Sequence, residues 1–180
     1  METLVKTTWA IDPTHSEVEF KVKHLVISTV KGIFKEFTGN VEVEGENFEN
    51  ATFSFEANVD SIFTNQADRD GHLKSADFFD AANYPKITFN SSNVEKKSDN
   101  NYTITGELNI KDTTKTVDLT AEFGGVATDP YGNVKAGFEI TGLINRKDFG
   151  LTFHAVTEAG HLLLSDEIKM NINLQFAKQA

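Results

Sequence analysis

Five histidines, a serine beside one of them and a short run of alternating charges are the residues in this chain that have chemistry to offer. His15 precedes Ser16, but a serine nucleophile is exposed by a Gly-x-Ser-x-Gly elbow, and no such run exists. His15, His24, His72, His154 and His161 stand among 27 Asp and Glu, so metal donors are plentiful. Their spacing is wrong: no His-x-x-x-His pair sets two imidazoles on one helix face, and strand parity separates several of them. Cys is absent, which removes disulfides, thiolate nucleophiles and thiolate zinc sites together. Nucleotide phosphates find neither a Gly-x-x-x-x-Gly-Lys-[Ser/Thr] run nor a strand-linked Gly-x-Gly-x-x-Gly. No catalytic residue, metal ligand or cofactor is assigned.

The polar residues that stay in play are few. Arg69, Asp70 and His72 sit within four positions of one another. A guanidinium matches phosphate geometry, so Arg69 and His72 suit the head group of an amphiphile. The competing reading is local helix support through an Asp70–Lys74 pair at i,i+4. His24 shares parity with Phe20 and Val22 and is expected to point inward at a strand end, as a core residue or as a third head-group contact. Arg146 and Asp148 flank a turn and read as bracing against the Asp-rich segment around Asp68 and Asp70.

The elements that must position these residues are strands. Alternation of apolar and polar side chains, the mark of a strand with one buried face, recurs eight times. The tracts are centred on Val18–Val22, Phe37–Val43, Ala51–Val59, Ile87–Phe89, Ile104–Ile110, Val117–Phe123, Val134–Ile140 and Ile168–Phe176. Turn-type clusters separate them, among them Glu44-Gly45-Glu46-Asn47, Lys111-Asp112-Thr113-Thr114 and Asp129-Pro130-Tyr131-Gly132-Asn133. None has room for a crossover helix, so neighbours pair antiparallel. Closure into a barrel removes the edges that a sandwich leaves open, and eight strands enclose a lumen suited to side chains or one small ligand. The expected fold is mainly β, a single eight-stranded antiparallel barrel over residues 1–180.

One segment breaks the rhythm. Between Ile62 and Tyr84 the pattern becomes helical over Asn65–Lys74, capped by Thr64 or Asn65 and acidic in its first turn. Its apolar face is too thin to carry a sheet. It reads as a short helical lid over residues 64–80, with Phe78 and Phe79 as apolar plugs in contact with ligand rather than with the central core.

Charge excludes whole classes of partner. With 27 Asp and Glu against 17 Lys and Arg the formal charge is −10, which repels phosphate backbones and anionic head groups. No apolar run is long enough to span a bilayer. The opening Met1-Glu2-Thr3-Leu4-Val5-Lys6 carries no export signal, so the chain as written is expected in the cytosol, and in the periplasm if such a signal was trimmed. Phe is the compositional outlier, at 15 of 180 residues.

Several motifs in order carry a resemblance. Trp9-Ala10-Ile11-Asp12-Pro13-Thr14-His15-Ser16 and Phe20-Lys21-Val22-Lys23-His24 open it. Asp60-Ser61-Ile62-Phe63-Thr64-Asn65, Arg69-Asp70-Gly71-His72-Leu73-Lys74 and Tyr84-Pro85-Lys86-Ile87-Thr88-Phe89 continue it, and Asn145-Arg146-Lys147-Asp148-Phe149-Gly150-Leu151 follows. Together they resemble the YceI-like family of lipid-binding barrels from about Trp9 to Leu174. The resemblance implies an elongated lipocalin-like barrel, a homodimer, and a lipid ligand, a polyisoprenoid or fatty-acid-like amphiphile, held in an apolar tunnel. Expected tunnel residues are Phe20, Val22, Phe53, Phe55, Leu73, Phe78, Phe79, Phe89, Leu108, Phe138 and Ile140, with His24, Arg69 and His72 at the head group. The bland alternative fills the barrel with the same Phe side chains. A second alternative is a barrel enzyme acting on such a lipid, with His24, Arg69 or Asp70 as its chemistry.

Overall fold

Alternating tracts become strands because each then turns one side chain in two away from water. In a computed structural model, which describes residues 5–25, 27–45, 47–153 and 164–179, they do so as eleven strand segments. These are β1 (Lys6–Ile11), β2 (Glu17–His24), β3 (Ser28–Phe34), β4 (Phe37–Glu44), β5 (Thr52–Asn58) and β6 (Ile62–Phe63), then β7 (Lys86–Ser98), β8 (Asn101–Ile110), β9 (Thr113–Thr128), β10 (Val134–Asn145) and β11 (Leu164–Lys178). Among the described residues there is one α-helix, α1, at Ala67–Lys74.

The eleven segments form eight strands, because the first three are each broken once. β1 and β2 both run antiparallel along β11, β4 and β3 along β1 and β2, and β5 and β6 along β4 and β3. From β5 the order continues through β7, β8, β9 and β10 to β11, and β11 returns to β1 through Trp9↔Lys178 and Ile11↔Phe176. The sheet is closed, so the barrel has no open edge along this seam.

Sequence alternation marks all eight strands but only one half of each broken one. The missed halves are β1, β3 and β6. In β3 the inward row reads Val30, Gly32, Phe34, opposite Val22, Phe20 and Val18, and the glycine interrupts the apolar signal. The tertiary fold explains that glycine: a Cβ at Gly32 would lie 2.3 Å from Phe20 Cζ. The tip of the Phe20 ring occupies the space over the glycine of the neighbouring strand.

The break between β1 and β2 is built by Asp12. Its Oδ1 accepts from the Thr14 N–H at 3.1 Å and the Thr14 hydroxyl at 2.7 Å. Its Oδ2 meets His15 Nδ1 at 2.8 Å and Lys135 Nζ of β10 at 2.7 Å. The Asp-Pro-Thr-His run is therefore a structural kink, and its histidine is spent on a carboxylate. Lys135 above all, then His15 and Thr14, hold the Asp12 carboxyl well below the usual carboxylate range. A carboxyl depressed by folding stabilises the native state above its unfolded pKa of about 3.9 and loses that effect as pH falls through the native value. Asp12→Asn is expected to cost about 1–2 kcal/mol at pH 7, with the gap to the parent closing below about pH 4. Urea midpoints at the two pH values measure it, and a gap that widens in acid would contradict the assignment.

Side chains fill one half of the barrel. Phe48, carried on the loop after β4, inserts between Trp9, Phe123 and Phe138, with ring centroids 5.7, 5.2 and 5.1 Å away. Val41, Val43, Val94 and Tyr102 bury against this half. Edge-to-face aromatic pairs add about 0.5–1.5 kcal/mol each beyond the area they bury.

Candidate functional site

The other half of the barrel is hollow. An apolar cavity of about 160 Å³ is walled by β2, β3, β5, β7 to β11 and the lid. An aliphatic and aromatic cavity of roughly 150 Å³ stays dry, because water inside would lack polar partners. Along β11 the wall runs from Leu164 through Ile168, Met170, Ile172 and Leu174 to Phe176. Leu164–Ile168 of β11 bulges against only His24–Val22 of β2, so the run advances about ten strand steps of about 3.3 Å, and a tilt of about 40° from the axis gives the cavity a length of about 25 Å.

Ten of the eleven residues expected to line an apolar tunnel face this cavity: Phe20, Val22, Phe53, Phe55, Leu73, Phe78, Phe79, Phe89, Leu108 and Ile140. Phe138 does not. It sits one layer behind, 5.7 Å from Phe53 and 5.9 Å from Phe176, inside the filled half. Its parity is inward like the others, and only its height along the barrel sets it apart.

The lid covers the end opposite the aromatic cluster. α1 starts at Ala67, and its N-cap is Gln66, whose Oε1 accepts the Arg69 N–H; neither Thr64 nor Asn65 caps it. Thr64 is buried and fully engaged: its N–H and hydroxyl donate to Asp70 Oδ1, its oxygen accepts Arg69 Nε at 2.8 Å and its carbonyl accepts Arg69 Nη2 at 2.6 Å. Asp70 is thus turned toward Thr64 rather than Lys74. Phe79 meets Phe34 edge-on at 6.3 Å, and Phe78 packs 5.0 Å from Phe153. Both lid rings are under a tenth exposed, so they belong to the core as well as to the cavity wall, contrary to the expectation of plugs free of the core.

None of the three expected head-group residues reaches the cavity. Arg69 is folded back on Thr64. His72 pairs with Asp77 at 2.9 Å and stacks edge-on against Phe78 and Phe153 at 5.1 and 4.9 Å. His24 ends β2, paired with Leu164 and Ser28, outside the cavity wall. A helical residue's direction depends on what its loop can bond, and that is invisible to sequence spacing. His154 and His161 lie outside the described residues. Among the described residues no three His, Asp or Glu side chains converge as a metal site, and no helix is long and apolar enough to cross a membrane.

Two buried charged residues adjoin the cavity, Glu19, which faces Lys21 and Lys31, and one expected only to brace a turn. Arg146, 3 % exposed, opens the 3₁₀ turn Arg146–Phe149 after β10 and contributes to the cavity wall. Its Nη1 donates to the carbonyls of Leu151 and Phe153, both at 2.7 Å, and its Nε to that of Ser165 at 3.0 Å. Asp166 Oδ1 stands 3.7 Å from Nη2. Bracing is correct, but its partners are three carbonyls and Asp166 rather than the lid aspartates. Burial pushes the guanidinium below its ordinary pKa, and Asp166 opposes the shift. Gly150 caps the turn in the left-handed region at φ 76°, where a side chain would be strained. The Asn-Arg-Lys-Asp-Phe-Gly run was the available signal, and it encodes a stapled loop at the cavity's lid end.

Comparison with known proteins agrees with this architecture. A UPF0312 protein of Staphylococcus aureus is 37% identical over 174 residues, covering 95% of this chain and 98% of its own length. The crystal structure of the Campylobacter jejuni YCEI protein is 35% identical with a TM-score of 0.76, over 88% of this chain and 90% of that one. A polyisoprenoid binding domain from Saccharophagus degradans shares the fold alone, at 14% identity and a TM-score of 0.70, over 98% and 99% of the two chains. The model of the YceI-like domain matches residues 9–176, and with a third of its sequence shared with full-length relatives this chain belongs to the YceI-like family.

Proposed function

We propose that this protein holds a long-chain amphiphile, of polyisoprenoid or fatty-acid type, with its tail in the barrel cavity and its head group at the lid end, and that it carries or sequesters this lipid without reacting with it. The observation that carries the reading is the cavity itself: about 25 Å long by strand geometry and walled almost wholly by hydrocarbon. That length exceeds the reach of a single leaflet's tails, which is half of a hydrocarbon core of about 30 Å. Each methylene moved from water into it gains about 0.8 kcal/mol, so a long tail binds tightly with no hydrogen bond at all. A reaction on the tail would need a free nucleophile or base at the wall. His24, Arg69 and Asp70 lie off it; of the charged residues on it, Glu19 has its carboxylate beside Lys21 and Lys31, and Arg146 is committed to three carbonyls.

Protein purified from cells and extracted with organic solvent is expected to release a long-chain apolar molecule, identified by mass spectrometry and chemically unchanged from the cellular pool. Its removal is expected to lower the thermal midpoint, because a ligand bound only to the native state stabilises that state by mass action. Repeated extraction yielding nothing, with a midpoint indifferent to delipidation, would end the carrier reading. A recovered lipid altered relative to the cellular pool would favour an enzyme.

A further inference from the structure

The cavity wall offers a ligand almost nothing polar to recognise, so the property it can discriminate is the length and width of a tail. Its two ends differ in construction. At the lid end stand α1, the Phe78–Phe153 contact and the Arg146 turn, all on loops. The other end is a floor several rings deep. Phe53 and Phe176, 6.0 Å apart, are its surface. Phe138 lies against both, and Phe48 and Phe123 pack behind Phe138. Phe53, Phe138 and Phe176 project from strands of the closed sheet, and all three are at most 5 % exposed. A tail that reaches this surface can go no further without displacing a packed aromatic cluster.

We propose that this aromatic floor sets the longest tail the protein accepts fully, with Phe53 as the specificity-determining residue; the inference rests on the lipid-holding reading above. Tails shorter than the cavity gain with every carbon. Longer tails leave their excess at the mouth and gain nothing further.

The test uses the delipidated full-length chain and a series of saturated fatty alcohols from about ten to about thirty carbons, read by native mass spectrometry and thermal shift. Affinity is expected to rise about fourfold per methylene and then break to a plateau, the rise corresponding to about 0.8 kcal/mol per CH₂. Phe53→Leu and Phe53→Ala are expected to move the break to longer chains by about two carbons, and Phe53→Trp to shorter ones, judged from the ring volume removed or added. Phe63→Leu, off the cavity wall, is expected to leave the break in place. If Phe53→Ala does not fold, the Leu and Trp variants decide the matter between them. A parent break that neither variant moves, a break that Phe63→Leu moves equally, or a rise with no break would overturn the floor as a ruler while the lipid-holding reading stands. A parent protein that binds no alcohol of any length would overturn that reading itself.

Discussion

Arg146→Ala is expected to lower the stability of the barrel by about 3–5 kcal/mol, the cost of breaking a buried charged pair and leaving its partners behind. The guanidinium is 3 % exposed and satisfies the Leu151, Phe153 and Ser165 carbonyls, with Asp166 close by. Without it, three carbonyls lose their donor and the Asp166 carboxylate loses its neighbouring charge, and each unmet buried group costs about 1–3 kcal/mol. At about 2–4 °C per kcal/mol for a chain of this size, the thermal midpoint should fall by about 10 °C. Arg146→Lys should recover little of the loss. An ammonium is a compact point charge, and it cannot span carbonyls that a planar fork reaches from separate nitrogens. The same staple ties the turn after β10 to the start of β11 and to Phe153, which packs on the lid through Phe78 and His72. Lipid should therefore be released faster from the Lys variant than its loss of stability alone explains. Calorimetric midpoints and lipid dissociation rates on the two variants test both statements. Full recovery by Lys would show that charge, not the fork, is what this position supplies.

Ala57→Phe is expected to abolish lipid retention, about a hundredfold or more in affinity, while changing the stability of the lipid-free protein by about 1 kcal/mol or less. Ala57 is 1 % exposed, lies on the cavity wall and shares the inward parity of Phe53 and Phe55 on β5. A phenyl ring there occupies the space of about four methylenes of a tail, and at about 0.8 kcal/mol each their loss is worth more than a hundredfold. Insertion of a ring into a packed core would instead force neighbours off their rotamers at about 1–3 kcal/mol. The two effects therefore separate a hollow interior from a filled one. A second signature is thermodynamic: delipidation should lower the midpoint of the parent but leave that of Ala57→Phe unmoved. A variant that keeps its lipid and melts several degrees lower would show that the ring has no space to enter.

What the amino-acid sequence determined by itself was the architecture. Period-two alternation with short turns is a local code, since each residue's face follows from its neighbours two positions away, and it marked all eight strands of the barrel. The inward set follows from the same parity, which is why ten of eleven apolar positions named from sequence share one cavity. Three things needed the tertiary structure. The broken halves β1, β3 and β6 were hidden because their inward rows are short or carry Gly32, whose purpose exists only beside Phe20 on the next strand. Phe138 was indistinguishable from Phe53 by parity, because parity reports which face a residue occupies and not its height along a barrel closed by Phe48 from a distant loop. The polar residues were the least legible. Arg69 and His72 turn to Thr64 and Asp77, and Arg146 turns inward to carbonyls contributed partly by β11, because a polar side chain goes where its hydrogen bonds can be met, and those partners are assembled only when the chain has closed on itself.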